Sequence, residues 1–287
     1  MAEKKSRQQL LWPLGVTLLE REARILVQAE GEKLSLLFYR PGEKKAAAVI
    51  DFKEEDRIGD VWGMTISESD LRRYGLRESE LKELEYGFLL DGRWMAGPCA
   101  RILTGRESWG DISRTAGTER ARFMSEDFDW REDRRPKIPY SDTILYRLHV
   151  RGFTRSQSSG VRAKGTFAGV KEKKPYMKSL GVSSAELMPI TEFDEVLRSG
   201  GMPPEAREIK NPEPTGLLNY WGYGPSFLYA VKSSYGSGRK KPENELKELV
   251  RALHKESMEC ILELYFTGKE AVGMVLDVLR FWVAEYH

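Results

Sequence analysis

Cysteine is scarce in this chain. Cys99 and Cys260 are the two cysteines in 287 residues, they lie in unrelated contexts, and no disulfide framework is expected to support the fold. Histidine is nearly as rare: His149, His254 and His287 share no metal-ligand spacing, and neither CxxC nor HExxH occurs. A metal site is therefore not expected, and no residue pattern calls for a cofactor. Long apolar runs are missing too, none approaching the roughly 18 residues that a spanning helix needs. The opening Met1–Arg7 lacks the apolar centre of a secretory signal. A cytoplasmic protein without a membrane partner is the expectation. A surplus of one charge is also absent, since 46 basic residues stand against 44 acidic ones, a net charge of +2. Phosphate neutralisation requires a clustered basic excess, so no nucleic-acid partner is expected. Lys171–Lys174 and Lys240-Lys241 are taken as solvated surface. Asp127, Asp129 and Asp133 lack the glycine turn and distal glutamate of a calcium loop.

What is present is a globular composition, 40% hydrophobic and 31% charged, in a chain long enough for two domains. Up to about residue 120, short apolar runs alternate with turn residues. Gly15–Leu19, Arg24–Ala29, Leu34–Tyr39, Ala47–Phe52, Val61–Ile66 and Tyr86–Leu90 have strand length, and Asp91-Gly92 is a hairpin signal. This spacing predicts a β-sandwich over residues 1–120. The charged stretch Ser67–Glu85 interrupts it as a loop with a short helix. Residues 121–140 combine dense charge with Pro136 and Pro139, and predict a linker lying against both domains.

From Ser141 the period changes. Thr143–Val150 and Ala185–Ile190 are strand-like. Between them Phe167, Val170, Tyr176, Met177 and Leu180 mark a helical stretch that Pro175 interrupts and Gly181 caps. Leu246, Leu249, Val250 and Leu253 recur at i, i+3, i+4 and i+7, giving an amphipathic helix opened by Pro242. Glu259–Phe266 is a third strand, and Val272, Val275, Leu276, Leu279 and Val283 belong to a third helix. The alternation predicts a parallel sheet with covering helices over residues 141–287. A complete (β/α)8 barrel takes about 250 residues, so this stretch supplies only part of one. Leu145, Leu187 and Ile261 are expected on its inner face.

These same residues carry a resemblance. Thr143–Thr154 is similar to the first barrel strand and following loop of α-amylase-superfamily glycoside hydrolases, in their pullulanase, isoamylase and glycogen-debranching branch. Gly165–Gly169 with Tyr176–Val182 resembles that branch's first helix, Glu186–Ile190 its second strand, and Asn219–Tyr223 its loop before the next helix. Upstream, Tyr86-Gly87-Phe88, Asp91-Gly92, Ala100–Gly105 and Trp109-Gly110 resemble its immunoglobulin-like, starch-type carbohydrate-binding module. The resemblance spans about residues 10–287. It implies a multidomain β plus α/β fold: an immunoglobulin-like β-sandwich followed by the first three βα units of an incomplete TIM (β/α)8 barrel.

The resemblance also implies an α-glucan partner and hydrolysis of O-glycosyl bonds in glycogen or starch-type polymers. The chemistry uses a nucleophilic carboxylate and a proton donor about 5–5.5 Å apart. The family carries them on strands four and five, with a third carboxylate after strand seven. His287 stands where strand four is expected to begin, so no residue of this chain is assigned as nucleophile or general acid. The substrate-binding candidates are Tyr220, at the position of the tyrosine that stacks on the sugar ring, Trp221 and Tyr223 beside it, and Glu263 at a strand end. An aromatic face suits the C–H surface of a pyranose. The alternative for each ring is packing of the loop, and for Glu263 a structural hydrogen bond. The family's aspartate, asparagine and histidine at this strand end are here Glu263, Thr267 and Gly268. That departure keeps a second reading open, a non-catalytic glucan-binding protein with a degenerate amylase-like domain. Trp62 and Trp94 are read as sandwich core rather than glucan contacts.

Overall fold

A computed structural model describes residues 14–19, 21–114, 119–124, 128–199 and 213–287. Met1–Arg7 and Asp127 lie outside the described residues.

The first part of the chain forms two antiparallel sheets. One joins β1 (Gly15–Leu18), β2 (Glu22–Gln28), β5 (Arg57–Ile58) and β6 (Val61–Ser67) in the order β1-β2-β6-β5. The other joins β3 (Leu34–Tyr39), β4 (Ala48–Asp51), β7 (Glu85–Leu90) and β8 (Arg93–Met95) in the order β4-β3-β7-β8. Ala23, Ile25, Val27 and Trp62 of the first sheet meet Leu36, Phe38, Ile50, Tyr86 and Phe88 of the second in one core. Strand alternation puts these residues on the facing surfaces. Leu26 breaks the alternation because the outer face of its sheet is covered as well. It packs with Leu14, Cys99 and Ile102 in the core of the second part. The charged interruption holds α1 (Glu68–Leu71), whose N-cap Ser67 accepts from the Asp70 N–H at 3.2 Å.

Asp91 and Gly92 join β7 to β8 with φ of 50° and 78°, the left-handed pair that a two-residue hairpin turn requires. Trp62 is 1% exposed and its indole donates to the Ala29 carbonyl at 3.0 Å, so it is core. Trp94 lies across Gly87, where a Cβ would come within 2.0 Å of the indole, and meets Tyr39 edge-on. The stretch expected as a linker opens with one more strand, β9 (Ala121–Arg122), paired with Glu85 and Tyr86. Phe123 and Met124 follow it into the two cores. Pairing with the sheet therefore continues past residue 120.

The second part is built on three parallel strands in the order β10 (Leu145–Leu148), β11 (Ser184–Leu187), β16 (Glu259–Leu262). The connecting helices are α2 (Val150–Arg155), α3 (Phe167–Glu172), α4 (Lys174–Ser179), α5 (Pro242–Lys255) and α6 (Val272–Tyr286). α3 and α4 are one helical stretch broken where Pro175 enters the first turn of α4, and Gly181 closes it at φ 73°. Leu246, Leu249, Val250 and Leu253 of α5 are all buried, as their spacing requires. α6 is apolar nearly all round, so periodicity did not select its packed face. Val278, Phe281, Trp282 and Tyr286 are inside, whereas Val272, Leu276, Leu279 and Val283 are exposed.

The inner-face expectation is corrected by register. Leu145 pairs with Ser184, and Glu186 pairs with Arg147 on one side and Ile261 on the other, so Leu145 and Ile261 share the open face. Leu187 pairs with Leu148 and Leu262 on the opposite face, buried beneath the helices. A one-residue offset moves a side chain through the sheet. Between β11 and α5 the chain makes an antiparallel excursion. β12 (Thr191–Phe193) pairs with β15 (Ser226–Val231), and β13 (Val196–Arg198) pairs with β14 (Pro214–Leu218).

Candidate functional site

The site lies where β10 and β16 end. His149 follows β10 and caps α2, its Nδ1 accepting the Gly152 N–H at 2.9 Å. That bond leaves the ring proton on Nε2, which faces the Tyr235 hydroxyl at 2.9 Å. Burial, with the charge of Arg151 adding to it, pulls the imidazole down to about 4 from its ordinary 6.5, against an opposing backbone hydrogen bond to Tyr220. His149 is therefore neutral at physiological pH. Tyr220 stacks on this ring with centroids 4.5 Å apart and planes at 28°.

Trp109 arrives from the connection between β8 and β9 of the second sheet. It stacks on Tyr235 at 5.9 Å and meets His149, Phe193 and Tyr220 edge-on at 6.4, 6.0 and 6.0 Å. The Arg151 guanidinium sits over the Trp109 ring, 4.8 Å from its centroid. Five aromatic groups and a cation thus share one cluster, with Trp109 at its centre.

A buried ionic network holds that cluster in place. Lys232, fully buried, donates to Glu192 at 2.7 Å, to Glu195 at 2.6 Å and to the Phe193 carbonyl at 2.8 Å. Arg106, also fully buried, donates to Glu119 at 2.6 Å, and Glu195 accepts the Gly110 N–H at 3.0 Å. Burial would raise the Glu195 carboxyl, but Lys232 and Arg114 outweigh it and hold the group below the usual range. Charges buried this way need all their partners, so the network fixes geometry more than it adds net stability.

The loop Asn219–Tyr223 is shaped by two residues. The Asn219 amide donates to the Tyr223 carbonyl and accepts from the Gly222 N–H, both at 3.1 Å. Gly222 has φ 86°, and a Cβ there would come within 2.6 Å of the Phe193 ring. The turn so formed presents Trp221 and Tyr223, 53% and 37% exposed.

On the open face of the sheet, Tyr223 donates to Glu263 Oε1 at 2.7 Å while Arg147 binds Glu263 Oε2 at 2.6 Å and reaches the Tyr223 hydroxyl at 2.5 Å. Glu186 stands 3.5 Å from Arg147. Partial burial and the bond to Glu263 raise the Tyr223 phenol, so it stays a donor. The structure thus brings Tyr223 and Glu263 into direct contact, with Tyr220 and Trp221 one turn away. Tyr220 has one ring face committed to His149 and is half-buried. Beyond β16, Glu270 accepts from the Thr267 N–H and hydroxyl and from the Gly268 N–H, closing the turn on itself.

Sequence reasoning missed Trp109, His149, Arg147 and Arg151 as members of the site. Arg147 had a readable signal, two residues before His149 on a strand with its side chain on the Glu263 face. Trp109 had none, because its contacts lie dozens of residues away. Among the described residues no group of three or more His, Cys, Asp or Glu is placed to hold a metal ion. No described helix is long and apolar enough to cross a membrane.

No protein-family model matches the chain. It is 29% identical over 274 residues to isoamylase 3, chloroplastic, of Oryza sativa subsp. japonica, covering 89% of this chain and 34% of that protein. It is 32% identical over 230 residues to a glycogen debranching enzyme of Yersinia enterocolitica, covering 73% of this chain and 32% of that protein. The chain belongs to the isoamylase, glycogen-debranching and pullulanase branch of the α-amylase superfamily. Its fold is similar to part of the catalytic module of a multi-modular glycogen-degrading pneumococcal virulence factor, SpuA, with a TM-score of 0.71 at 18% identity over 97% of this chain and 46% of that one. The chain spans about a third of the length of the debranching-branch relatives it matches.

Proposed function

We propose that this chain forms the glucan-facing wall of a debranching-type glycoside hydrolase. In this reading the two-sheet part is the immunoglobulin-like, starch-type module, and the three parallel strands are the first three βα units of an amylase-type (β/α)8 barrel. The substrates are α-linked glucans of the glycogen or starch kind, and O-glycosyl bonds are hydrolysed by the two-carboxylate retaining chemistry. No side chain of this chain is assigned the nucleophile or the acid.

The observation that carries the reading is the grouping of Tyr220, Trp221, Tyr223 and Glu263 at the C-terminal ends of parallel strands, where barrel enzymes of this architecture act. An exposed indole and phenol beside a carboxylate already bonded on both oxygens offer stacking area plus fixed polar edges, which is what a pyranose requires. The contacts of Glu263 supply acceptor and donor positions, not acid–base chemistry, since Arg147 and Tyr223 occupy both its oxygens. The test is maltoheptaose binding by calorimetry, comparing the parent chain with Trp221→Ala and Tyr223→Phe. Affinity should fall in both variants with little change in melting temperature. Unchanged affinity in both would remove the site from the cleft. The hydrolytic half is tested by reducing-sugar release from glycogen and pullulan by the protein expressed from its own gene.

A further inference from the structure

No acidic residue occurs between Asp142 and Glu172, whereas Arg147, Arg151, Arg155, Arg162, Lys164 and Lys171 all do. Most of these charges are accounted for. Arg147 is bonded to Glu263, Lys171 to Glu248 at 2.6 Å, and Lys164 reaches the Gln157 amide at 3.5 Å. The Glu172 carboxylate takes the backbone N–H groups of Arg162 and Ala163 and feels the charge of Arg162. Arg151 and Arg155 are different: no carboxylate pairs with either among the described residues. They stand four residues apart on α2, so their side chains rise from the same face, an arrangement that is repulsive on its own. Both stems converge on Gly165, where a Cβ would lie 3.3 Å from Arg151 Cγ and 3.6 Å from Arg155 Cδ. The Arg151 head is held over Trp109, the ring that also contacts Tyr220. Burial and the neighbouring charge of Arg155 both act against the Arg151 cation, and Tyr220, Tyr235 and the Glu195 carboxylate, none of them in an ion pair with it, offset them only in part.

We propose that Arg151 and Arg155 form a subsite for a phosphate monoester carried by a glucosyl unit seated beside Tyr220 and Trp221. This rests on the glucan reading above and narrows it to a phosphate-bearing class of ligand. Two guanidinium groups match the charge of a phosphate monoester, which carries close to two negative charges near neutral pH and offers three acceptor oxygens. A sugar carboxylate would neutralise only half of the pair. Trp109 fixes the orientation of the Arg151 fork, while exposed Arg155 supplies the second, adjustable contact.

The test uses the full 287-residue chain and four probes: maltoheptaose, maltoheptaose bearing one 6-phosphate, glucose 6-phosphate and inorganic phosphate. Calorimetry at low ionic strength should show the phosphorylated oligosaccharide binding about tenfold more tightly than the neutral one, the worth of one charge-assisted contact. Arg155→Gln should cut that ratio to about threefold and Arg155→Glu should bring it to one or below. Neutral maltoheptaose should bind all three proteins alike, because Arg155 lies off the aromatic cluster. Glucose 6-phosphate competing as well as the oligosaccharide would support a free sugar phosphate as the source, and markedly weaker competition would support the polymer. Equal binding of neutral and phosphorylated maltoheptaose would overturn the subsite and leave the glucan reading standing. Inorganic phosphate binding as tightly as the phosphorylated sugar would reduce it to an ion site and also overturn it. Failure of every sugar to bind would remove both readings together.

Discussion

Replacing His149 by asparagine takes a titratable ring out of the site while leaving an acceptor at the head of α2. In the folded protein the imidazole is held down to about 4, chiefly by burial, whereas in the unfolded chain it titrates near 6.5. Between those values the unfolded chain takes up a proton that the folded chain refuses. Acidification through that window therefore favours unfolding, and the contribution is fully present only above about pH 6.5. Each pH unit is worth about 1.4 kcal/mol for one such proton, so roughly 2 kcal/mol is lost between neutral pH and pH 5 if the depression is complete. Solvent screening of the incompletely enclosed ring lowers the expectation to about 1 kcal/mol. The variant loses the stack on Tyr220 and is less stable at pH 7.5, but its stability should fall less steeply with acid. Groups elsewhere in the chain are common to both proteins and cancel in the difference. Urea midpoints measured at pH 7.5, 6.5, 5.5 and 5.0 give the comparison. A gap between the two proteins that stays constant across that range would refute the claim that His149 is buried neutral, and with it the assignment of its proton to Nε2.

Further expectations rest on other parts of the structure. Lys232→Met leaves Glu192 and Glu195 without their shared cation and should cost about 3–5 kcal/mol in chemical denaturation; a loss below 1 kcal/mol would show that water or Arg106 takes over. Gly87→Ala drives a methyl into the Trp94 indole and should destabilise by roughly 1–3 kcal/mol with a shift in tryptophan emission; an unchanged spectrum and midpoint would place Trp94 elsewhere. Asp133 accepts from His254 at 2.9 Å and His287 at 3.0 Å, so Asp133→Asn should expose the segment around Trp130 to protease earlier than the parent chain. Identical cleavage rates would show that these bonds do not fasten the segment.

Much of the fold could be read from local pattern. The strands of the first part, the hairpin at Asp91-Gly92, the break at Pro175 and the buried stripe of α5 each follow from a period or a turn residue acting over a few positions. What escaped was set by distant contacts. The hairpin-like pairings of β12 with β15 and β13 with β14 are short, irregular in register and separated by many residues, so no periodicity marks them. The face of α6 was ambiguous because apolar side chains surround it. At the site, Tyr223 and Glu263 were named from resemblance, yet the hydrogen bond between them links residues forty apart and depends on the register of three strands. The neutrality of His149 was likewise illegible, since it arises from burial created by Trp109, Tyr220 and Tyr235 together.

Trp109 has a bearing on how such proteins can be recombined. The ring belongs to the connection between β8 and β9 of the two-sheet part, yet it is the centrepiece of the aromatic cluster in the part that follows, touching His149, Phe193, Tyr220 and Tyr235. A crossover placed inside the two-sheet part, between β8 and Trp109, would deliver a foreign loop to the heart of the cleft. One placed downstream would carry the ring along but strand Arg106 and Glu119 from Glu192 unless the new partner supplied matching charges. Exchange of the N-terminal part between lineages is therefore constrained at both ends. The two parts are expected to be inherited as a matched pair, and chimaeras made by swapping one alone should fold only when the residues around Trp109 travel with their counterparts.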